Sequence, residues 1–321
     1  MAGDDLSFVA KMAGAVREEV HKVIVGMDYV IDAVLIALLS QGHIIVEGPP
    51  GLAKTYLVKA FSNSLDLDFK RIQFTSDMLP ADIIGSMVYN RRGGSFEFRK
   101  GPIFANMVLA DEINRAPPRS QSALLEAMQE RQVTVEGIRH PLSDPFMVVA
   151  TQNPVELEGT YPLPEAELDR FMMRVYVESP SVPEELMILG LKNVYGEEMR
   201  AGEVVAKETV LRAIEVVKDV HLDRSIMEYL VGIIKATRSD QRLILGGSPR
   251  ATVYLMYASK AMAALDGKRY VTPDHVKAVA VQVLNHRLIM KPEAQVLSPV
   301  FAYKTAERVV RDILAHVEAP R

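Results

Sequence analysis

An α/β core built on a parallel sheet, followed by an all-helical lid, is the fold this 321-residue chain predicts. Three observations point there. Short apolar runs of strand length alternate with helical patterns up to about residue 180, the arrangement of parallel strands joined by crossover helices. One run, Ile44-Ile45-Val46, empties into a Gly/Pro-rich turn and then a helix. Beyond Pro180-Ser181-Val182-Pro183 the composition shifts, and every segment carries helical periodicity.

Taken in order, Leu6, Val9, Ala13, Val16, Val20 and Ile24 recur at helical spacing, with Lys11, Arg17 and Glu18 between them. Ile24-Val25-Gly26-Met27-Asp28 breaks that helix, and Val30–Ser40 forms a second one, apolar nearly all round and therefore buried. The strand Ile44–Val46 and the helix opened by Lys54-Thr55 follow. Asp68–Phe74 alternates as a strand. An irregular stretch, Thr75–Pro102, holds a hairpin of Ser86–Tyr89 against Ser95–Phe98, in which Tyr89, Phe96 and Phe98 either pack the hairpin or touch a partner. Met107–Ala110, Phe146–Thr151 and Met172–Val177 are buried strands; between the first two lie a helix over Pro118–Glu130 and a small hairpin turning at Glu136-Gly137. Helices are expected over 184–195, 207–220, 223–237, 250–266, 273–286 and 303–316. These runs set a boundary near 180: a core over 1–180 and a helical lid over 181–321.

Bulk numbers exclude several classes. A formal net charge of -4 with pI near 6.0 lacks the basic excess of a nucleic-acid surface. No cysteine is present, so disulfides and thiolate metal sites are ruled out. The seven histidines are scattered without metal-ligand spacing. Ala33–Leu39, the most apolar stretch, is too short to cross a bilayer, and Met1–Asp5 is acidic where a secretion leader is basic. A cytoplasmic protein with no membrane span is the expectation.

The chemistry gathers at four places. Gly48-Pro49-Pro50-Gly51-Leu52-Ala53-Lys54-Thr55, between a buried strand and a helix, is a phosphate-binding loop. Its glycines let backbone N–H groups curl around phosphate oxygens, the helix N-terminus adds a positive dipole, Lys54 reaches the β- and γ-phosphates, and Thr55 can ligate Mg²⁺. Ala53 stands where the usual pattern has a second glycine. Since alanine avoids left-handed backbone, Ala53 is expected to be right-handed and already helical. Asp111-Glu112, ending an apolar strand, supplies a carboxylate for Mg²⁺ (Asp111) and a general base for the attacking water (Glu112). Asn153 follows a buried strand, where ligands gather at the carboxyl edge of parallel sheets. The last place is a pair of arginines, Arg170 and Arg250. In Ser248-Pro249-Arg250 the cation opposes its own helix dipole unless a phosphate faces it.

The segments 47–55, 109–117, 150–154 and 163–171 together resemble the MoxR family of AAA+ ATPases, and the similarity runs from Val25-Gly26 to Leu284-Asn285-His286-Arg287. Alanine before the loop lysine is itself a mark of that family. The resemblance implies a five-stranded parallel sheet of order 5-1-4-3-2, with an insert at 75–102 and a hairpin at 132–140. It implies Asn153 as sensor 1, Arg250 as sensor 2 and Arg170 as an arginine finger acting in a ring, usually a hexamer. Val25 and Gly26 would lie near adenine, and the cofactors would be ATP and Mg²⁺. Such proteins remodel or activate partners, often ones with von Willebrand factor A domains, and some promote metal-cofactor insertion. Two other readings compete: a nucleic-acid motor related to helicases, against which the acidic balance argues, and a chelatase-type, nucleotide-gated motor subunit. A GTPase is disfavoured, because no Asn-Lys-x-Asp signature is present.

Overall fold

The structure is a computed structural model and describes residues 5–154, 159–196, 200–294 and 299–320. Met1–Asp4, part of the acidic stretch read above against a leader, lie outside them. Helix α1 (Asp5–His21) and helix α2 (Asp28–Leu39) meet at Gly26 and Met27, whose φ angles of 68° and 62° are left-handed and stop helical propagation. Nine residues of α2 are buried, as its all-round apolar surface requires. Strand β1 (Ile44–Glu47) and α3 (Lys54–Ser64) flank the glycine-rich turn. After β2 (Phe69–Gln73), the short α4 (Pro80–Ile84) leads into the hairpin β3 (Gly85–Asn90) and β4 (Ser95–Lys100), so the stretch read as irregular also holds a helical turn. Then come β5 (Met107–Asp111), α5 (Pro118–Glu130), the hairpin β6 (Gln132–Val135) and β7 (Ile138–Pro141), β8 (Met147–Gln152), α6 (Glu165–Leu168) and β9 (Met173–Tyr176).

Five strands form one parallel sheet in the order β2-β5-β8-β1-β9. Counting only these strands, the order read from the other edge is 5-1-4-3-2, as the resemblance implied. β5 is buried along its whole length, as is β1, which explains their unbroken apolar runs. Ile44 and Val46 join the apolar cluster that includes α1 and α2, while Ile45 joins the opposite one with Val108, Ala110 and Val148.

Beyond the sheet lie α7 (Val182–Tyr195), α8 (Lys207–Lys218), α9 (Arg224–Ser239), β10 (Leu243–Leu245), α10 (Pro249–Leu265), α11 (Pro273–Leu284), β11 (Ile289–Met290) and α12 (Pro299–His316). The expectation that every segment here is helical needs one correction, because β10 and β11 pair as a small antiparallel ribbon. Neither strand is long enough to display an alternation, so no period of two could be seen. Helix α10 begins as expected: Ser248 Oγ accepts from the Ala251 N–H at 3.3 Å, with Pro249 in the first turn. One apolar cluster runs from α1 and α2 across a sheet face to residues of α8, α9, α10, α11 and α12. Helix α7 contributes nothing buried.

Candidate active site

The carboxyl ends of β1, β5 and β8 carry the residues singled out from the sequence. Gly48 follows β1 and lies against the end of β9, where an added Cβ would meet the Val177 carbonyl oxygen at 2.8 Å. No larger residue fits that approach. The turn then runs through Pro49, Pro50, Gly51 and Leu52 to Ala53, whose φ of 51° and ψ of 21° are left-handed. The expected right-handed Ala53 is therefore wrong. The tight entry to α3 demands that twist, and alanine accepts it at about 1–2 kcal/mol. Lys54 Nζ donates to the carbonyls of Gly48 and Pro49 at 2.6 and 2.7 Å, which aims the ammonium across the turn. Burial lowers the Lys54 pKa, with Asp111 and Glu112 partly offsetting it.

Thr55 Oγ1 donates to Asp111 Oδ2 at 3.2 Å, so the two proposed magnesium ligands already touch. Thr151 at the end of β8 ties the neighbouring strands together. Its hydroxyl donates to Asp111 Oδ1 at 2.5 Å and accepts from the Glu112 N–H at 2.9 Å. Glu112 has φ 57° and ψ 49°, left-handed backbone that a non-glycine residue adopts only where its surroundings enforce it. That twist swings its carboxylate to Gln73 Nε2 at 2.8 Å and Arg115 Nε at 3.0 Å. A cavity of about 270 Å³ opens beside it, lined by Gln73, Thr75, Glu112 and Arg115. Asn153 is buried directly beyond β8, level with Gly48, whose N–H donates to the Gln152 carbonyl at 3.3 Å.

Val25 lines a narrow cleft with Val23, Tyr56, Ile188, Leu191 and Lys192. Gly26 abuts α7, where an added Cβ would fall 2.4 Å from Glu184 Oε1. These positions lie at one end of the phosphate loop and suit the flat, apolar face of a base. The loop's curled backbone, Lys54 and the Thr55/Asp111 oxygen pair suit a triphosphate with Mg²⁺, a hard cation that favours oxygen ligands and keeps several waters. Among the described residues no cluster of three His, Asp or Glu side chains forms a protein-only metal cage.

The arginines lie elsewhere. Asp169 and Arg170 precede β9 at its amino end, where the Met172 N–H donates to the His43 carbonyl at 2.7 Å. From His43 to Gly48 the strand rises about 16 Å. Arg250 Nη1 pairs with Asp169 Oδ2 at 3.1 Å, which fixes the start of α10 at that same amino edge. Arg287 holds the other oxygen of Asp169 at 2.8 Å from a buried position, and burial lowers its pKa to about 10. Arg170 is half-buried, and its guanidinium makes no ion pair or hydrogen bond among the described residues. The fold thus gathers Lys54, Thr55, Asp111, Glu112 and Asn153 at one edge of the sheet and strands Arg170 and Arg250 at the other.

Residues 43–173 match the family described as "ATPase family associated with various cellular activities (AAA)", and residues 235–313 match the AAA lid domain. A crystal structure of a protein from Cytophaga hutchinsonii superposes with a TM-score of 0.89 at 40% identity, covering 98% of this chain and 97% of that one. YeaC of Bacillus subtilis is 45% identical over 309 residues, 96% of this chain and 95% of YeaC. Chaperone MoxR1 of Mycobacterium tuberculosis is 41% identical over 285 residues, 86% of this chain and 75% of MoxR1. The chain belongs to the MoxR family of AAA+ ATPases.

This MoxR-family site also relies on residues that motif reading passed over. Arg71 on β2 reaches Asp111 Oδ2 at 2.7–2.9 Å and also donates to the Gln73 side chain. Arg71 and Gln73 are two apart and so share one face of an edge strand beside β5, a signal visible in the alternation. Thr151 is the first of the two polar residues, with Gln152, that close an apolar run. Asp169 sits in the quoted 163–171 segment, but only the three-dimensional contact shows that it collects two arginines.

Proposed function

We propose that this MoxR-family chain hydrolyses ATP in an oligomeric ring, most simply a hexamer, and uses the cycle to remodel or activate partner proteins. One observation carries the reading: the phosphate loop and the cations suited to sense its γ-phosphate stand on opposite edges of one sheet. Within one chain, Arg170 and Arg250 stand at the amino edge of the sheet, away from Lys54 at its carboxyl edge. A head-to-tail neighbour can bring its arginines to Lys54, and repetition of such a contact closes a ring.

In this reading the loop amides and Lys54 would hold the phosphates, and Thr55 with Asp111 would hold Mg²⁺, which would supply positive charge to offset that of the phosphates. Glu112 takes the proton of the attacking water, oriented by Gln73 and Arg115; Asn153 positions that water or the γ-phosphate. Arg170 and Arg250 arrive from the next copy and stabilise the charge that develops in transfer. Val25 and Gly26 flank adenine. Residues 1–180 act as the nucleotide-binding unit and 181–321 as its lid. A cytoplasmic location belongs to the same reading, since that is where ATP is supplied. A partner with a von Willebrand factor A domain, and metal-cofactor insertion as one outcome, follow from the family resemblance.

Turnover against protein concentration tests the core claim. The rate per chain should rise through the assembly range, and Arg170→Ala should lose roughly 10³–10⁵ in kcat while still binding ATP. A concentration-independent rate, or normal hydrolysis by Arg170→Ala, overturns it. Capture of partners by Glu112→Gln, which should hold ATP without cleaving it, identifies the client.

A further inference from the structure

Helix α7 breaks the rule that the other long helices obey. Val182, Leu186, Met187, Leu189, Val194 and Tyr195 are each more than half exposed, and no residue of the helix is buried. Its inward residues Glu184, Ile188 and Leu191 lean on Gly26, Val23, Val25 and Tyr56, so the helix walls the base end of the phosphate loop. The outward face has no such cover. A helix apolar on nearly all sides belongs in an interior, and a contiguous apolar surface of this extent marks a contact.

The opposite edge of the molecule carries a matching surface. On α10, Val253 and Tyr257 are exposed on the turns that follow Arg250, at spacings of three and seven residues, and so on its face of the helix. Ile244 and Leu245 of the ribbon, exposed just before α10, extend it. The α7 side carries little uncompensated charge: Asp28 contacts His21 at 2.8 Å, Glu178 pairs with Lys304 at 3.1 Å, and Glu184 accepts from Ser181 at the start of its own helix, so the contact there rests on apolar side chains. At the amino edge, Arg131, Lys218 and Lys260 line one cavity with Tyr254 and Tyr257, near Arg170 and Arg250.

We propose that the outward face of α7 is the seat of a second copy of this chain, whose α10 face docks on it as Arg250 and Arg170 approach the phosphate loop. The proposal rests on the ring reading above and deepens it by naming the contact. The apolar side chains of α7 hold the neighbour, and the same contact delivers the arginines. Because the two surfaces differ, the interface is head-to-tail.

The chain has no cysteine, so introduced thiols report contacts cleanly. Leu189→Cys/Tyr257→Cys, oxidised in the presence of Mg²⁺ and ATP, should give a ladder of covalent multimers, while either single variant should give none. Leu186→Lys/Leu189→Lys replaces only exposed side chains. It should keep the wild-type melting temperature and bind a fluorescent ATP analogue within about twofold, yet sediment as a monomer where the wild type assembles. If the wild type never assembles with nucleotide, the ring reading falls and the contact falls with it. If the wild type assembles but the lysine variant assembles equally, or the double-cysteine chain gives no ladder, the α7 contact alone is overturned and the ring stands. A lysine variant that assembles normally but loses a captured client also counts against it.

Discussion

At residue scale, His43 shows how burial dictates a protonation state. Its Nδ1 accepts from the Val148 N–H at 3.0 Å, so the ring hydrogen must sit on Nε2, which faces the Met128 carbonyl at 3.2 Å. Desolvation lowers its pKa to about 4, below the unfolded value near 6.5, and His286 is pushed in the same direction by burial and Arg287. The unfolded chain therefore takes the proton first. His43 adds stability in full above pH 6.5 and loses it as pH falls toward 4, a change of about 3 kcal/mol. Urea melts from pH 7 to 4 should show that decline, and His43→Gln should make it shallower, leaving the part that His286 carries. Ala53 makes an opposite point about legibility. Its identity predicted right-handed backbone, but the loop sets the geometry and the side chain yields. Ala53→Gly relieves that strain and loses part of the gain to unfolded-chain entropy, leaving about 0.5 kcal/mol. A melting temperature raised by a degree or so is expected, and a lowered one would contradict the strain.

At the scale of elements, the sheet was readable because its inner strands are buried on both faces. Unbroken runs such as Met107–Ala110 and Phe146–Thr151 leave little else for the chain to do. The ribbon β10–β11 was not readable, being too short to carry a pattern. The site divides in the same way. Lys54, Thr55 and Asp111 stand in local motifs from which a phosphate and metal site is expected, whereas Thr151, Arg71 and Gln73 make contacts across strands whose register no local motif encodes. Thr151 joins β8 to the end of β5 through two hydrogen bonds. Thr151→Val keeps the shape and removes both, which should cost about 1–3 kcal/mol of stability. Turnover should fall as well, because the Glu112 N–H and Asp111 lose their common anchor. Unfolding and single-turnover measurements on the same variant check the two effects together.

At the scale of the molecule, Asp169 is the junction between sheet and lid. It receives Arg250 from the first turn of α10 and Arg287 from beyond α11, and the Arg287 side chain is only 2% exposed. Asp169→Ala leaves that guanidinium buried without its carboxylate, held by backbone carbonyls such as Met172 O and by the His286 ring, and should destabilise by about 3 kcal/mol. It should also free Arg250, so nucleotide affinity and assembly change beyond what a simple loss of stability produces. Denaturant melts beside sedimentation with and without ATP separate the two.

The separation of cradle and arginines across one sheet has a genetic consequence. In the proposed ring, a chain ruined at Lys54 would still lend its arginines to the next, and one ruined at Arg170 would still offer a sound cradle. Two inactive chains, Lys54→Ala and Arg170→Ala, should thus revive each other when mixed, about one junction in four being whole. In a cell carrying both alleles, each would be silent alone and partly rescued by the other.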